Sequence, residues 1–224
     1  NIRDVAIDNF GNAWVATDVG LINIVGDKFL VYNQKDGFIN DDMHALSINA
    51  SGLIWVSGAG YLSSMNGKEI NNYSSSNDSI RIWDGNAGLK ALDDGSVIFG
   101  GIGLKSLSVK EGDIKFSLLA ESGWVNGITV DSNQNILYSS VNEGIVKFKN
   151  GQKLEVLNPE NGLIYDVTTC VYIDNKGWIW TASESGGVGF YDGNTWSYIN
   201  TDDGLLSNWV NRITSDNNGS YYFS

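Results

Sequence analysis

His44 is the one histidine of this chain, and Asp42 stands two positions before it. In an extended strand those two side chains share a face, so a carboxylate could orient an imidazole for proton transfer. Arg3, Trp124, Asn126, Trp209 and Asn211 occupy the corresponding phase of a repeat set out below. Together the seven supply a cation, a carboxylate, amides and two indoles. Such groups can bind a polar ligand with a flat apolar face, such as a sugar or oligosaccharide, by hydrogen bonding plus stacking. Two plainer readings stand beside this one. Strand ends near solvent are polar in any case, and a lone histidine is more often solvated or simply hydrogen-bonded than catalytic. Catalysis would need a nucleophile or a second acid within reach of His44, and none is fixed by spacing, so no catalytic residue is assigned.

Other reactive groups point the same way. The single Cys170 forbids an internal disulfide and a cysteine-based zinc cluster, and its place in an apolar run reads as a small buried residue. The turns Asp8-Asn9-Phe10-Gly11, Asp131-Ser132-Asn133-Gln134 and Asp216-Asn217-Asn218-Gly219 lack the alternating carboxylates and terminal Glu of a calcium loop, so turn chemistry explains them better. Asp18, Glu143 and Glu184 fall in loops without the paired spacing that glycoside hydrolysis requires. No metal or cofactor is expected.

What must position these residues is a repeat. Its best copy is Asp174-Asn175-Lys176-Gly177-Trp178-Ile179-Trp180-Thr181, where Asp174 can bond the backbone two residues on and Gly177 accepts the positive φ that closes the turn. The turn position reads Gly11, Gly52, Gly95, Gln134, Gly177 and Gly219, at intervals of 41, 43, 39, 43 and 42. Three residues later stand Trp14, Trp55, Ile98, Leu137, Trp180 and Tyr222, a column of large side chains that calls for burial. A third strand opens at Gly20-Leu21, Gly60-Tyr61, Gly103-Leu104, Gly144-Ile145 and Gly187-Val188. It ends in hairpin turns at Gly26-Asp27, Asn66-Gly67, Glu111-Gly112, Asn150-Gly151 and Asp192-Gly193, after which a fourth strand follows. The best closing connections are Asp36-Gly37-Phe38, Asn161-Gly162-Leu163 and Asp203-Gly204-Leu205.

Four short antiparallel strands in about 42 residues is the period of a β-propeller blade. A β-sandwich would give no reason for the same residue class at the same phase of every repeat. The sequence therefore predicts an all-β propeller forming one domain over 1–224. Its repeats fall near 1–41, 42–79, 80–123, 124–166, 167–208 and 209–224, about five and a half blades, which reads as an excerpt of a larger propeller completed by further blades. Aligned first strands open with Asn1, Asp42, Asn86, Trp124, Val167 and Trp209, and two residues on carry Arg3, His44, Gly88, Asn126, Thr169 and Asn211. Further along, the same face carries Val5, Leu46, Lys90, Ile128, Val171 and Ile213, so it is expected to change from polar to largely apolar. A loop over Ser74–Ser79, with Arg81, Trp83 and Asp84 after it, is expected to extend over that rim.

A net charge of -12 repels phosphate backbones and anionic lipid, which argues against nucleic acid and against membrane contact by this segment. No apolar run reaches the roughly 18 residues of a membrane span. No signal peptide is visible, and Asn1 opens directly into a strand pattern without an initiator Met, so the true start is expected upstream.

The phrase at Asp174–Thr181, with Gly187-Val188 and Asp203-Gly204-Leu205, resembles the two-component regulator propeller repeat, as does Asp8–Thr17 with Gly20-Leu21 and Asp36-Gly37-Phe38. The second copy departs at Asn49 and Ser57, the third at Ile98, and the fourth at Gln134 and Leu137. The resemblance implies a periplasmic or cell-surface sensor or interaction module with a ligand or protein partner, usually coupled to a kinase or cyclase output elsewhere.

Overall fold

The computed structural model describes residues 1–74, 82, 88–165, 167–216 and 219–224. Ser75–Ser79, Arg81, Trp83, Asp84 and Asn86 lie outside these, as do Asn217 and Asn218. The chain packs as two compact units, Asn1–Leu119 and Ala120–Ser224. Both are built of antiparallel sheets, and the described residues form no α-helix.

In the first unit, β1 (Ile2–Ile7), β2 (Ala13–Thr17), β3 (Gly20–Val25) and β4 (Lys28–Tyr32) form one four-stranded meander. A second comprises β5 (Met43–Ile48), β6 (Ile54–Gly58), β7 (Tyr61–Asn66) and β8 (Glu69–Tyr73). The strands β9 (Leu89–Ala91), β10 (Val97–Phe99) and β11 (Gly101–Lys110) then lead in hydrogen-bonded order to β12 (Asp113–Val130). In the second unit the end of β12 pairs with β13 (Ile136–Ser140), followed by β14 (Gly144–Lys149) and β15 (Gln152–Leu157). The next meander is β16 (Thr168–Ile173), β17 (Ile179–Ser183), β18 (Val188–Tyr191) and β19 (Trp196–Ile199), and β20 (Ile213–Ser215) pairs with β21 (Tyr221–Phe223). These meanders are propeller blades.

Across the expected repeat boundary at 123/124, β12 runs unbroken for 18 residues, and its pairing with β13 begins at Val125. The reason lies in the connections. Three others end in 3-10 turns, Gln34–Asp36, Pro159–Asn161 and Thr201–Asp203, each capped by Asn33, Asn158 or Asn200 and closed by a glycine at positive φ. Leu118–Gly123 offers no such cap, so the chain stays extended.

Trp14, Trp55, Ile98, Leu137 and Trp180 are all buried at their equivalent positions. Tyr222 is the exception at 56% exposed. It lies on a two-stranded sheet, and its hydroxyl reaches the Asp216 carboxylate at 3.2 Å. Repeats are stitched within each unit by side chains that bond to backbone or to side chains about 42 residues away. Asp4 accepts from Leu46 N at 2.8 Å and Asn49 donates to Leu92 O at 2.9 Å, while in the second unit Tyr172 and Ser215 join hydroxyls at 2.8 Å. Satisfying a buried amide this way avoids a cost of about 1–3 kcal/mol each.

Candidate functional site: the opening of the first strands

Four of the first strands, β1, β5, β12 and β16, carry a β-bulge at one and the same phase, whereas β9 and β20 pair without one. Pairing jumps from Ile2 to Asp4, from Met43 to Ala45, from Val125 to Gly127 and from Thr168 to Cys170. The residues left without a cross-strand partner are therefore Arg3, His44, Asn126 and Thr169, all members of the polar column. A bulge places two residues opposite one, bends the strand and re-aims the extra side chain. It also breaks the period of two on which the shared-face expectation rested. Val5 is 52% exposed where Leu46 is buried.

In the first unit the structure brings Arg3, Asp42 and His44 together. His44 Nε2 lies 3.1 Å from Asp42 Oδ2, and Arg3 Nη2 lies 3.7 Å from Asp42 Oδ1. Both Arg3 and Asp42 are about two-fifths exposed, so their ion pair is worth at most about 1 kcal/mol. Asp42 sits just before β5, its amide bonded to Asn40 Oδ1 at 3.2 Å. Its carbonyl accepts from the Tyr61 hydroxyl at 2.9 Å. Burial pushes that hydroxyl far above the usual phenol range, with the Asp42 and Asp41 charges adding, so it remains a donor. Sequence reasoning passed over Tyr61. The available signal was an aromatic hydroxyl at a position that elsewhere holds Leu21, Leu104, Ile145 or Val188.

In the second unit the column is used differently. Asn126 Nδ2 donates to Thr168 O at 2.9 Å, and Thr169 Oγ1 donates to Val210 O at 2.7 Å. Each bulged side chain thus latches onto the opening of the next first strand. Asn126 is spent on a structural bond. Trp124 is half-buried, with its carbonyl accepting from Val141 N at 2.9 Å. Trp209 is 57% exposed, and its indole nitrogen donates to Asn211 Oδ1 at 3.0 Å, which holds the ring in one orientation at the surface.

The remaining chemistry-bearing groups are accounted for locally. Cys170 is buried, and burial pushes its thiol up to about 11, so it is no nucleophile. Asp8, Asp131 and Asp174 spend their carboxylates on turn amides and neighbouring side chains. Glu143 pairs with Lys153 and Ser122. Among the described residues no group of three or more His, Cys, Asp or Glu side chains is placed to hold a metal ion.

Comparison with known proteins places the fold. No family model matches the chain, and no curated protein matches it. Solved structures do. The extracellular domain of the hybrid two-component system protein BT3049 from B. thetaiotaomicron matches all of this chain and 31% of its own, at 16% identity and a TM-score of 0.76. PorZ, a surface component of the type-IX secretion system of Porphyromonas gingivalis, matches with 16% identity, a TM-score of 0.73, all of this chain and 37% of its own. Virginiamycin B lyase from Staphylococcus aureus matches with 15% identity, a TM-score of 0.75, all of this chain and 77% of its own. The chain spans about a third of the length of the first two. At these identities the likeness is one of fold: this is a β-propeller fold, and the two-component system extracellular domain among its neighbours agrees with the resemblance that the repeat carries.

Proposed function

We propose that this chain is a non-catalytic, ligand- or partner-binding propeller segment, the sensing part of a cell-envelope signalling protein acting in the periplasm or at the cell surface. The observation that carries the reading is Trp209. A large indole held at the surface by Asn211 is a ready stacking face for a sugar ring, and it loses little entropy on binding because its orientation is already set. The likeness to extracellular domains of two-component system proteins supports the class of function. Titration calorimetry of the wild type, Trp209→Ala and Trp124→Ala against defined oligosaccharides tests it. Loss of a stacked indole should weaken binding by about 1–3 kcal/mol, roughly 5- to 150-fold. Unchanged affinity in both variants would reject the site.

Two other readings each have an observation in their favour. The 3.1 Å contact of His44 with Asp42 is the geometry by which a carboxylate orients an acid–base imidazole, as a lyase or hydrolase would use. His44→Ala abolishing turnover while leaving binding intact would favour it. The likeness to PorZ favours an interaction platform in a cell-surface assembly, which would bind protein through its surface and ignore both tryptophan variants.

A further inference from the structure

At the other end of the same strands, the first unit holds a cavity of about 450 Å³ between its first two sheets, walled by Asp8, Phe10, Trp14, Asn23, Tyr32 and Met65. That volume lies within the range of small-molecule sites. Trp14 and Tyr32 stack with ring centres 5.8 Å apart, giving the cavity an aromatic wall. Phe10 stands at its rim, 90% exposed. Asn23 is only 5% exposed, and its Oδ1 accepts no hydrogen bond from the described residues. A buried polar atom in that condition costs about 1–3 kcal/mol and calls for a partner.

The chain contains its own control. Asn23 lies opposite Trp14 across β2 and β3, as Phe190 lies opposite Trp180 across β17 and β18. Ile54 holds the phase of Tyr221, two residues after the turn glycine. In the second unit Phe190 and Tyr221 fill the corresponding groove, stacking on Trp180 at 4.7 and 4.1 Å, and the Tyr221 hydroxyl caps the Asp174 carboxylate at 2.6 Å. In the first unit Asn23 and Ile54 replace both rings. The groove stays open, and the Asp8 carboxylate takes its fourth hydrogen bond from Asn12 Nδ2, at 3.1 Å, instead of from a tyrosine hydroxyl.

We infer that this cavity is a second binding site, for a neutral, hydroxylated ring of mono- or disaccharide size. The inference rests on the binding reading above but assigns a different place. The orphaned group of the wall, Asn23 Oδ1, accepts hydrogen bonds, so the ligand must bring a donor; the Asp8 carboxylate beside it is already bonded to Phe10 N, Asn12 and Trp14. The carboxylate repels anions, and no lysine or arginine lines the cavity to offset it. The stacked pair supplies a surface for the apolar face of a ring.

The test is calorimetric titration of the chain with glucose, galactose, N-acetylglucosamine, maltose and cellobiose, with benzylamine as a cationic probe. The expected result is one-to-one binding of at least one sugar, weakened on the order of tenfold or more by Asn23→Phe, which rebuilds the filled groove, and unaffected by Trp209→Ala. Phe10→Ala guards against misfolding of the first variant. Its exposed ring can be removed without loss of core, and it should weaken binding several-fold at an unchanged melting temperature. The inference is overturned if no sugar binds, if benzylamine binds and the sugars do not, or if affinity survives both Asn23→Phe and Phe10→Ala. Loss of binding on Trp209→Ala alone also overturns it, while leaving the surface site standing.

Discussion

Replacing Asp174 by Asn should destabilise the second unit by about 2–4 kcal/mol, although the change swaps one oxygen for a nitrogen. Asp174 Oδ1 accepts from Lys176 N and Trp178 N at 2.9 Å each, and Oδ2 accepts from Trp180 Nε1 at 3.0 Å and the Tyr221 hydroxyl at 2.6 Å. An asparagine keeps an oxygen for the two turn amides and turns an NH₂ toward the other pair. The tyrosine hydroxyl can rotate to accept; the indole N–H cannot. One buried donor is thus stranded, at about 1–3 kcal/mol, and the surviving bonds lose their charge-assisted strength, adding about 1 kcal/mol.

The second repeat already carries this arrangement. Asn49 Oδ1 accepts from Ser51 N and Leu53 N, its Nδ2 donates to Leu92 O, and Trp55 Nε1 finds no partner among the described residues. The assay is urea unfolding at neutral pH, followed by tryptophan fluorescence and near-ultraviolet circular dichroism, for Asp174→Asn in the wild type and in a Trp180→Phe background. The cost should shrink by at least 1 kcal/mol when the indole is absent. A loss under about 0.5 kcal/mol, or an equal loss in both backgrounds, would refute the reasoning.

Other expectations follow from single contacts. Burial would raise the Asp174 carboxyl, yet its bonds from Tyr221, Trp180 and the turn amides outweigh this and hold it below 3.8, and Asp8 and Asp131 behave alike. A folded-state pKa below the unfolded one adds stability that is complete above that value, so unfolding midpoints should fall as pH drops below about 4, less steeply in Asp174→Asn. Gly127→Ala should cost more than about 3 kcal/mol by chemical denaturation, because a Cβ there would lie 2.6 Å from Val171 N and 2.8 Å from Cys170 Cα, both backbone. Lys105 is buried with its ammonium on Ile102 O, and burial pulls its pKa to about 8. Lys105→Met should therefore raise the melting temperature at pH 7, with the gain shrinking between pH 8 and about 10.5, where the wild type gains stability by folding with a neutral amine.

What could be read from the residues alone was whatever is decided within a few positions. The turn at Asp174–Gly177, the hairpin at Asn66-Gly67 and the burial of Trp14, Trp55 and Trp180 are local chemistry plus period, and the structure has them where expected. The bulges were not legible, because nothing in Arg3 or His44 says which partner residue they skip; that is a matter of register between strands. The run-on of β12 could have been seen in the missing Asn cap. The groove beside Trp14 was hidden for another reason: it depends on Asn23 and Ile54, ordinary residues until set against Phe190 and Tyr221.

That last contrast gives a rule for reading function in a repeat. Positions that agree between copies, such as the turn aspartates and the buried column, hold the blade and say little about what it binds. Where copies share a backbone and disagree in chemistry, the difference is free to serve a ligand. Tyr61 beneath Asp42, His44 in a bulge that elsewhere holds an interstrand latch, and Asn23 facing a cavity where a phenyl ring would pack are three such departures, all in the first unit. The fourth copy departs too, yet it fills its column with Leu137 and packs it against Ile145 and Val171. A departure that repacks is drift. One that leaves an orphaned oxygen beside an aromatic wall has kept a cost of folding that only binding would offset, and this is why Asn23 ranks above the exposed polar residues of the rim as the place to test.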